Sequence, residues 1–398
     1  VIRLPKEERG HLSWTFVGTL AVILAYGLIM MFSASYSSGY TNHGGNIYYF
    51  IKPQAIVAAV GFVVMLGVSL INYRGLRYMF WTFYVITLAL LVLALFMPSD
   101  NNGCYRWVYL PGGMSLQPSE LAKICYIFAG AATLDRLFRK RNLGLFILLT
   151  GACMGCLALM SDFGTAAIFF VTFLVIAYLR SGDFATLSLI CGGAVFGGLM
   201  LVTVKPYILR RFAAWGHAWE QASDGGFQQT RTMSAAASGG LIGVGPGEGW
   251  LHRVPAADTD LVFGMLCEEW GLIIAVLAVL CIAALAVFAV RSCRAGRSSF
   301  YTIAACAATS LLVFQTTLNV LGSVDILPLT GVTFPFVSNG GSSMLSAWTL
   351  LAFLKAADTR SNASFAIRPQ DRHSSSWLGN LIPAKGGRVQ KEVSGEKD

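Results

Sequence analysis

The chain has 398 residues, of which 55% are hydrophobic and only 12% charged, about half the charged share of a soluble globular protein. With 42 glycines and 26 phenylalanines, this excludes an ordinary soluble enzyme, a disordered or collagen-like chain and a disulfide-rich secreted scaffold, and points to helices in lipid. The net charge of +9 is explained by topology rather than nucleic acid once its distribution along the chain is followed.

A membrane-crossing helix needs about 20 mostly apolar residues. Ten segments qualify: 13–35, 49–71, 77–97, 119–135, 143–160, 163–179, 184–204, 261–290, 300–322 and 341–357. The first is too long for a signal-peptide core and no cleavage site follows it, so it counts as a span. Only Ser161 and Asp162 separate the fifth from the sixth, which makes a tight helical hairpin. Residues 1–12 form a short N-terminal segment, 13–357 the membrane domain, 205–260 a large polar loop between spans seven and eight, and 358–398 a hydrophilic, flexible tail. With both termini placed inside, 21 Lys and Arg residues fall on the inner side and 8 on the outer, the bias that cytoplasmic loops carry. The expected fold is an all-α polytopic membrane protein with ten transmembrane helices, cytoplasmic termini and one large extracytoplasmic loop.

The eight outer cations have no topological reason, and charges in or beside spans are costly, so each is a functional candidate. Four outer clusters follow in chain order. The first, GCYRWVYLPGGMSLQPSELAK from 103 to 123, begins as a Gly- and Pro-rich loop dipping into the outer leaflet, with Trp107 to Leu110 suited to the interface. Ser119 is the expected N-cap of the fourth helix, and Glu120 and Lys123 lie three apart on one face, either as a local ion pair or as a functional one. The second is the hairpin tip at Ser161 to Thr165, where Asp162 caps the sixth helix or faces a ligand.

The third is the long loop with Lys205, Arg210, Arg211 and Arg231. It continues into six glycines between 239 and 249, which allow backbone amides to approach an anion closely. No GKS or GKT follows, so this is not a P-loop. Asp258 and Asp260 precede the eighth helix, whose N-terminal dipole favours their ionised forms; a carboxylate there suits a general base, or Thr259 or Asp260 is simply the N-cap. Glu268 and Glu269 lie about two turns further in, with a structural or a catalytic partner. The fourth cluster is PLTGVTFPFVSNGGSSM, 328–344, with Gln315 and Asn319 on the helix before it. Backbone broken at that depth lines a cavity or is buried in protein. The five histidines show no metal spacing, and the Cys153–Cys156 pair has no second ligand pair, so it reads as helix packing.

These stretches, in this order, resemble the SEDS family of shape, elongation, division and sporulation proteins (FtsW, RodA, SpoVE). The carriers are MFSASY near residue 30, RW with LPGG and QPSELAK, SDFGTA, SGGLIGVGPG, TD with EEWG, and TGVTFPFVSNGGSS. The resemblance implies a peptidoglycan glycosyltransferase of the bacterial plasma membrane that polymerises lipid II at the outer face for division, elongation or sporulation, releasing undecaprenyl diphosphate. A lipid II flippase or a noncatalytic scaffold is the alternative. It implies Asp260 as general base, and substrate binding by Arg106, Trp107, Glu120, Lys123, Asp162, Arg210, Arg211, Arg231, Glu268, Ser338 and Ser342, the cations holding diphosphates. It further implies a class B penicillin-binding protein and other divisome or elongasome proteins as partners, no nucleic acid, and no cofactor beyond an optional divalent cation such as Mg or Mn, for which no metal cage is visible.

The chain departs from the family pattern at three positions. Asp258 stands where the family often has His, Leu261 where it has Phe, and Asn339 where it has Tyr. Two aspartates therefore compete as base, and Asp260 holds the motif position. On this reading Lys123→Ala and Arg211→Ala weaken use of the donor more than they weaken the fold.

Overall fold

The computed structural model describes residues 14–34, 46, 48–70, 79–96, 107–109, 115–135, 140–181, 184, 187, 188, 190–195, 198, 213–295 and 299–365. Nine of the ten expected spans are helices among these residues. They are α1 (Trp14–Ala34), α2 (Ile51–Leu70), α3 (Phe80–Leu95), α4 (Pro118–Asp135), α5 (Lys140–Leu159), α6 (Phe163–Ser181), α8 (Val262–Ala295), α9 (Ser299–Ser323) and α10 (Gly341–Phe365). The seventh span, 184–204, is described only at scattered helical positions, and residues 1–13 and 366–398 lie outside the described residues.

Two elements differ from the sequence expectation. The loop before α4 contains a short antiparallel hairpin of β1 (Val108–Tyr109) and β2 (Ser115–Leu116), with Val108 opposite Leu116 and Tyr109 opposite Ser115; Val and Tyr favour extended backbone. Inside the long polar loop, Phe227–Gly239 forms helix α7, which packs on α8. Its run of Ala235, Ala236 and Ala237 is the local helix signal.

Helix α4 sits at the centre, against α3, α5, α6, α9 and α10. Its Ala122, Ala129, Ala131 and Ala132 are fully or almost fully buried, and such small side chains let helix backbones approach closely. A Cβ added at Gly130 would lie 2.6 Å from the ring of Phe146. Helices α2 and α10 meet in the same way, because a Cβ at Gly61 would fall 2.4 Å from the indole of Trp348, the largest fully buried side chain.

Helices α2, α5, α8 and α9 are each long and apolar enough to cross a membrane, and α1, α3 and α6 carry shorter apolar stretches. Ile56, Val63, Trp81, Val85, Ile273 and Leu280 are all more than half exposed on the outside of the bundle. An apolar surface on that scale requires lipid as its solvent. Helix α8 is broken at Gly271, with φ 84° and ψ 165°. The 24 residues beyond the break span roughly 36 Å at 1.5 Å per residue, enough to cross the hydrocarbon core. Residues 262–270 thus form a separate, tilted entry piece.

Candidate functional site

At one end of the bundle the chain turns through Ala256 to Asp260 before entering α8. The amides of Thr259, Asp260 and Leu261 all donate to the carbonyl of Ala256, at 3.3, 2.9 and 3.2 Å, and Ala256 takes a left-handed φ of 62°. The non-helical segment 328–340, between α9 and α10, holds this turn from outside. The Ser338 hydroxyl donates to the Thr259 carbonyl at 2.6 Å and accepts the Phe334 amide at 2.8 Å. Asn319 Nδ2, from α9, donates to the carbonyls of Asp260 (2.9 Å) and Val332 (2.7 Å). Asn339 engages Asp258 twice, amide to carbonyl at 2.9 Å and Nδ2 to Oδ2 at 2.8 Å. Asp258 and Asp260 are both half-buried.

Glu120 and Lys123 are buried in α4, 5% and 1% exposed. Lys123 Nζ lies 2.7 Å from Glu120 Oε1 and donates to Gln315 Oε1 at 3.1 Å. Gln315 Nε2 in turn donates to both the carbonyl and the hydroxyl of Thr333, each at 3.0 Å. The Thr333 and Ser343 hydroxyls pair at 2.8 Å, and the Ser346 hydroxyl donates to the Glu120 carbonyl at 3.0 Å. The 328–343 segment therefore joins the ion pair on α4 to the acidic turn before α8. The expected cap is corrected: α4 begins at Pro118, and Ser119 is buried inside its first turn with no hydrogen-bond partner for its hydroxyl among the described residues. Proline at the first helical position suits a group with no N–H to satisfy.

The hairpin tip joins the same end. Asp162 is buried and its Oδ1 accepts the Thr165 amide at 3.2 Å, the capping geometry for α6. A Cβ on the adjacent Gly164 would lie 2.4 Å from Val332 and 2.9 Å from Thr330. Ser342, at the start of α10, is buried, and its hydroxyl, that of Thr330 and the Asn319 Oδ1 have no hydrogen-bond partner among the described residues. They leave unused hydrogen-bonding capacity around the broken segment.

The glycine run serves the protein's own carboxylates. Val244 and Gly245 amides donate to the carbonyls of Glu268 (2.9 Å) and Glu269 (3.1 Å), while Leu272 donates to Gly240 at 3.0 Å, so loop and helix break pair backbone to backbone. A Cβ at Gly243 would lie 2.3 Å from the Glu269 carbonyl, and one at Gly271 2.3 Å from that of Leu241. Glu268 accepts the amides of Trp250 (2.9 Å) and Leu251 (3.1 Å), one on each oxygen. Glu269 Oε2 accepts the Gly247 amide at 3.3 Å and the Ser33 hydroxyl of α1. Glu268 is 1% exposed, and backbone amides hold both of its oxygens. The backbone amides do approach anions, but the anions are internal.

The remaining candidates are dispersed or undescribed. Trp107 is half-buried at the base of the hairpin. Arg231 is exposed on α7, with its guanidinium 5.4 Å from the Phe227 ring. Arg106, Arg210 and Arg211 lie outside the described residues. His252, in the turn Leu251–Arg253, bonds through Nδ1 to the Gly249 carbonyl at 2.8 Å, and burial lowers its pKa below the usual imidazole value. Gln54 was missed by the sequence reading: buried in α2, it donates to the Ser338 carbonyl at 3.1 Å. An amide inside an otherwise apolar span was the available signal.

The fold and site define a multi-pass membrane protein whose acidic, basic and broken-backbone elements converge at one end of a helical bundle. The family of FtsW, RodA and SpoVE cell cycle proteins matches residues 13–363, and the chain belongs to it. It is 30% identical over 360 residues to the probable peptidoglycan glycosyltransferase FtsW of Geobacter sp. (strain M18), covering 86% of this chain and 95% of that one. The protein of the same name from Coxiella burnetii (strain RSA 493 / Nine Mile phase I) is 30% identical over 358 residues, covering 85% and 95%. A chain from a peptidoglycan synthase complex that coordinates polymerization and crosslinking shares the fold with a TM-score of 0.71 at 23% identity, over 87% of this chain and 97% of that one. The rod shape determining protein RodA of Thermus thermophilus does so with a TM-score of 0.61 at 23% identity, over the same shares.

Proposed function

We propose that the chain is a peptidoglycan glycosyltransferase that polymerises lipid II at the outer face of the bacterial plasma membrane, with ten spans and both termini cytoplasmic. The observation that carries this reading is the 328–343 segment, which ties the buried Glu120–Lys123 pair to the turn bearing Asp260. In the reaction the acceptor 4-hydroxyl attacks the anomeric carbon of the donor sugar. The new glycosidic bond forms as the bond to the diphosphate breaks. The hydroxyl proton passes to the Asp260 carboxylate, and undecaprenyl diphosphate departs with the bonding pair. General-base catalysis of this kind contributes about 10²- to 10⁴-fold.

The cations proposed to offset the leaving group's charge are Lys123, Arg231, Arg106, Arg210 and Arg211, the last three outside the described residues. Trp107, Glu120, Asp162, Ser338 and Ser342 complete the proposed binding region, the last offering its buried hydroxyl. Among the described residues no three of His, Cys, Asp and Glu converge on a metal position. A divalent cation, if used, would be held by the substrate diphosphate together with a single carboxylate. The proposed partner is a class B penicillin-binding protein among other division or elongation proteins, in keeping with the synthase complex that shares the fold.

The test is reconstitution of the chain with its partner in liposomes carrying lipid II, scored for glycan polymer and for lipid II translocation in the same vesicles. Polymer dependent on Asp260 is expected. Translocation without polymer would instead make the protein a carrier, and neither activity would leave a scaffold.

A further inference from the structure

Three consecutive carbonyls of the acidic turn are held from across the fold: from the 328–340 segment, that of Asp258 by the Asn339 amide and that of Thr259 by the Ser338 hydroxyl, and from α9, that of Asp260 by Asn319 Nδ2. At Asp258 the grip extends to the side chain, where Asn339 Nδ2 donates to Oδ2 at 2.8 Å. Two bonds between the same two residues, 81 positions apart in sequence, fix rotation as well as distance. A bond from an amide to a carboxylate is also among the stronger kinds. The backbone is left-handed on both sides of this contact, at Ala256 (φ 62°) and at the bulky, buried Phe336 (φ 66°). Such conformations are costly for residues other than glycine and persist only where their surroundings over-determine them.

Asp258 and Asn339 are also two of the three positions at which the chain departs from the pattern its family resemblance sets. We infer that Asp258 and Asn339 are a matched positioning pair that locks the turn bearing Asp260, so that Asp258 is committed to the lock and does not take the substrate proton. This rests on the reading of Asp260 as base.

The experiment is a double-mutant cycle in the full-length chain with its partner: Asp258→Ala, Asn339→Ala and both. A second cycle exchanges the family residues, Asp258→His and Asn339→Tyr, singly and together. Each is scored for polymerisation rate at saturating lipid II, for the lipid II concentration giving half the maximal rate, and for thermal unfolding. Each alanine variant is expected to lower the saturating rate about 10- to 100-fold, the cost of a misplaced catalytic group, with the half-saturating concentration changed less than about twofold. The double variant should be no slower than the slower single one, and the paired exchange should regain rate that each single exchange loses.

Independent effects that multiply in the double variant would overturn the pairing. So would an Asp258→Ala variant as inactive as Asp260→Ala beside an Asn339→Ala variant of normal rate, since Asp258 would then act in the chemistry itself. If the unaltered chain makes no polymer, the proposed function fails by itself. The same cycles read by unfolding then decide the pair: non-additive shifts uphold it and additive shifts reject it.

Discussion

Two acidic pairs flank the start of α8, Asp258 with Asp260 and Glu268 with Glu269, and the protein places them in opposite surroundings. The glutamates are buried, and each accepts backbone amides of the glycine run or the turn after it. The aspartates are half-buried on a turn whose carbonyls, rather than carboxylates, receive most of the holding bonds. A carboxylate whose oxygens are filled by the chain's own amides closes a structure. A carboxylate carried on a turn whose backbone carbonyls are pinned is presented at a fixed position, which is what a general base requires.

The sharpest way to break this contrast is to exchange the consequences. Asp260→Ala should reduce lipid II polymerisation by about 10²- to 10⁴-fold with little change in unfolding temperature, measured on the reconstituted enzyme. A variant that polymerises at the normal rate removes Asp260 from the chemistry. Next in size is Lys123→Met, which leaves Glu120 buried without its cation and should cost about 3–5 kcal/mol of stability in detergent unfolding. This revises the sequence expectation that Lys123 matters to substrate more than to fold, because the ammonium is 1% exposed and bonded within the bundle. Adding Glu120→Gln should recover most of the stability while donor use stays impaired; recovery of both would remove the pair from substrate binding.

Glu268→Ala should follow, at about 2–4 kcal/mol, because it strands the Trp250 and Leu251 amides. Its folded fraction should keep its specific activity. A stable but inactive Glu268→Ala would erase the distinction between the two pairs. The smallest effect concerns His252. Its lowered folded pKa means that the unfolded chain binds the proton first, so stability falls as pH drops from about 6.5 towards the folded value. His252→Asn should make unfolding less sensitive to pH across that window, and an unchanged slope would show that His252 does not contribute.

Much of this was legible locally. Apolar runs placed nine helices, most within about three residues of their observed limits and the last ending eight residues beyond its expected 357, and they set apart the clusters of Asp, Glu, Lys and Gly near the helix ends. Helix α7 and the β1–β2 hairpin were hidden inside stretches read as polar loop, where tertiary contact with α8 and α10 decides what short segments do. The glycine run was read as a place where amides meet anions, and in the fold its Gly247 amide meets the Glu269 carboxylate while Trp250 and Leu251, just after it, meet Glu268. Nothing local said that the anions were Glu268 and Glu269, because the break at Gly271 that brings them there is a property of the folded backbone.

The sequence by itself determined that the chain lives in lipid, which apolar segments form helices and which few polar residues stand out among them, since apolar length and charge are read within a window of neighbours. Tertiary structure alone decided the partners: Lys123 with Gln315 across 192 positions and Asn339 with Asp258 across 81. Periodicity and capping act over one or two helical turns, so they cannot specify which distant side chain satisfies a buried charge. That choice is made when the helices pack and each buried polar group must find a donor or acceptor within reach.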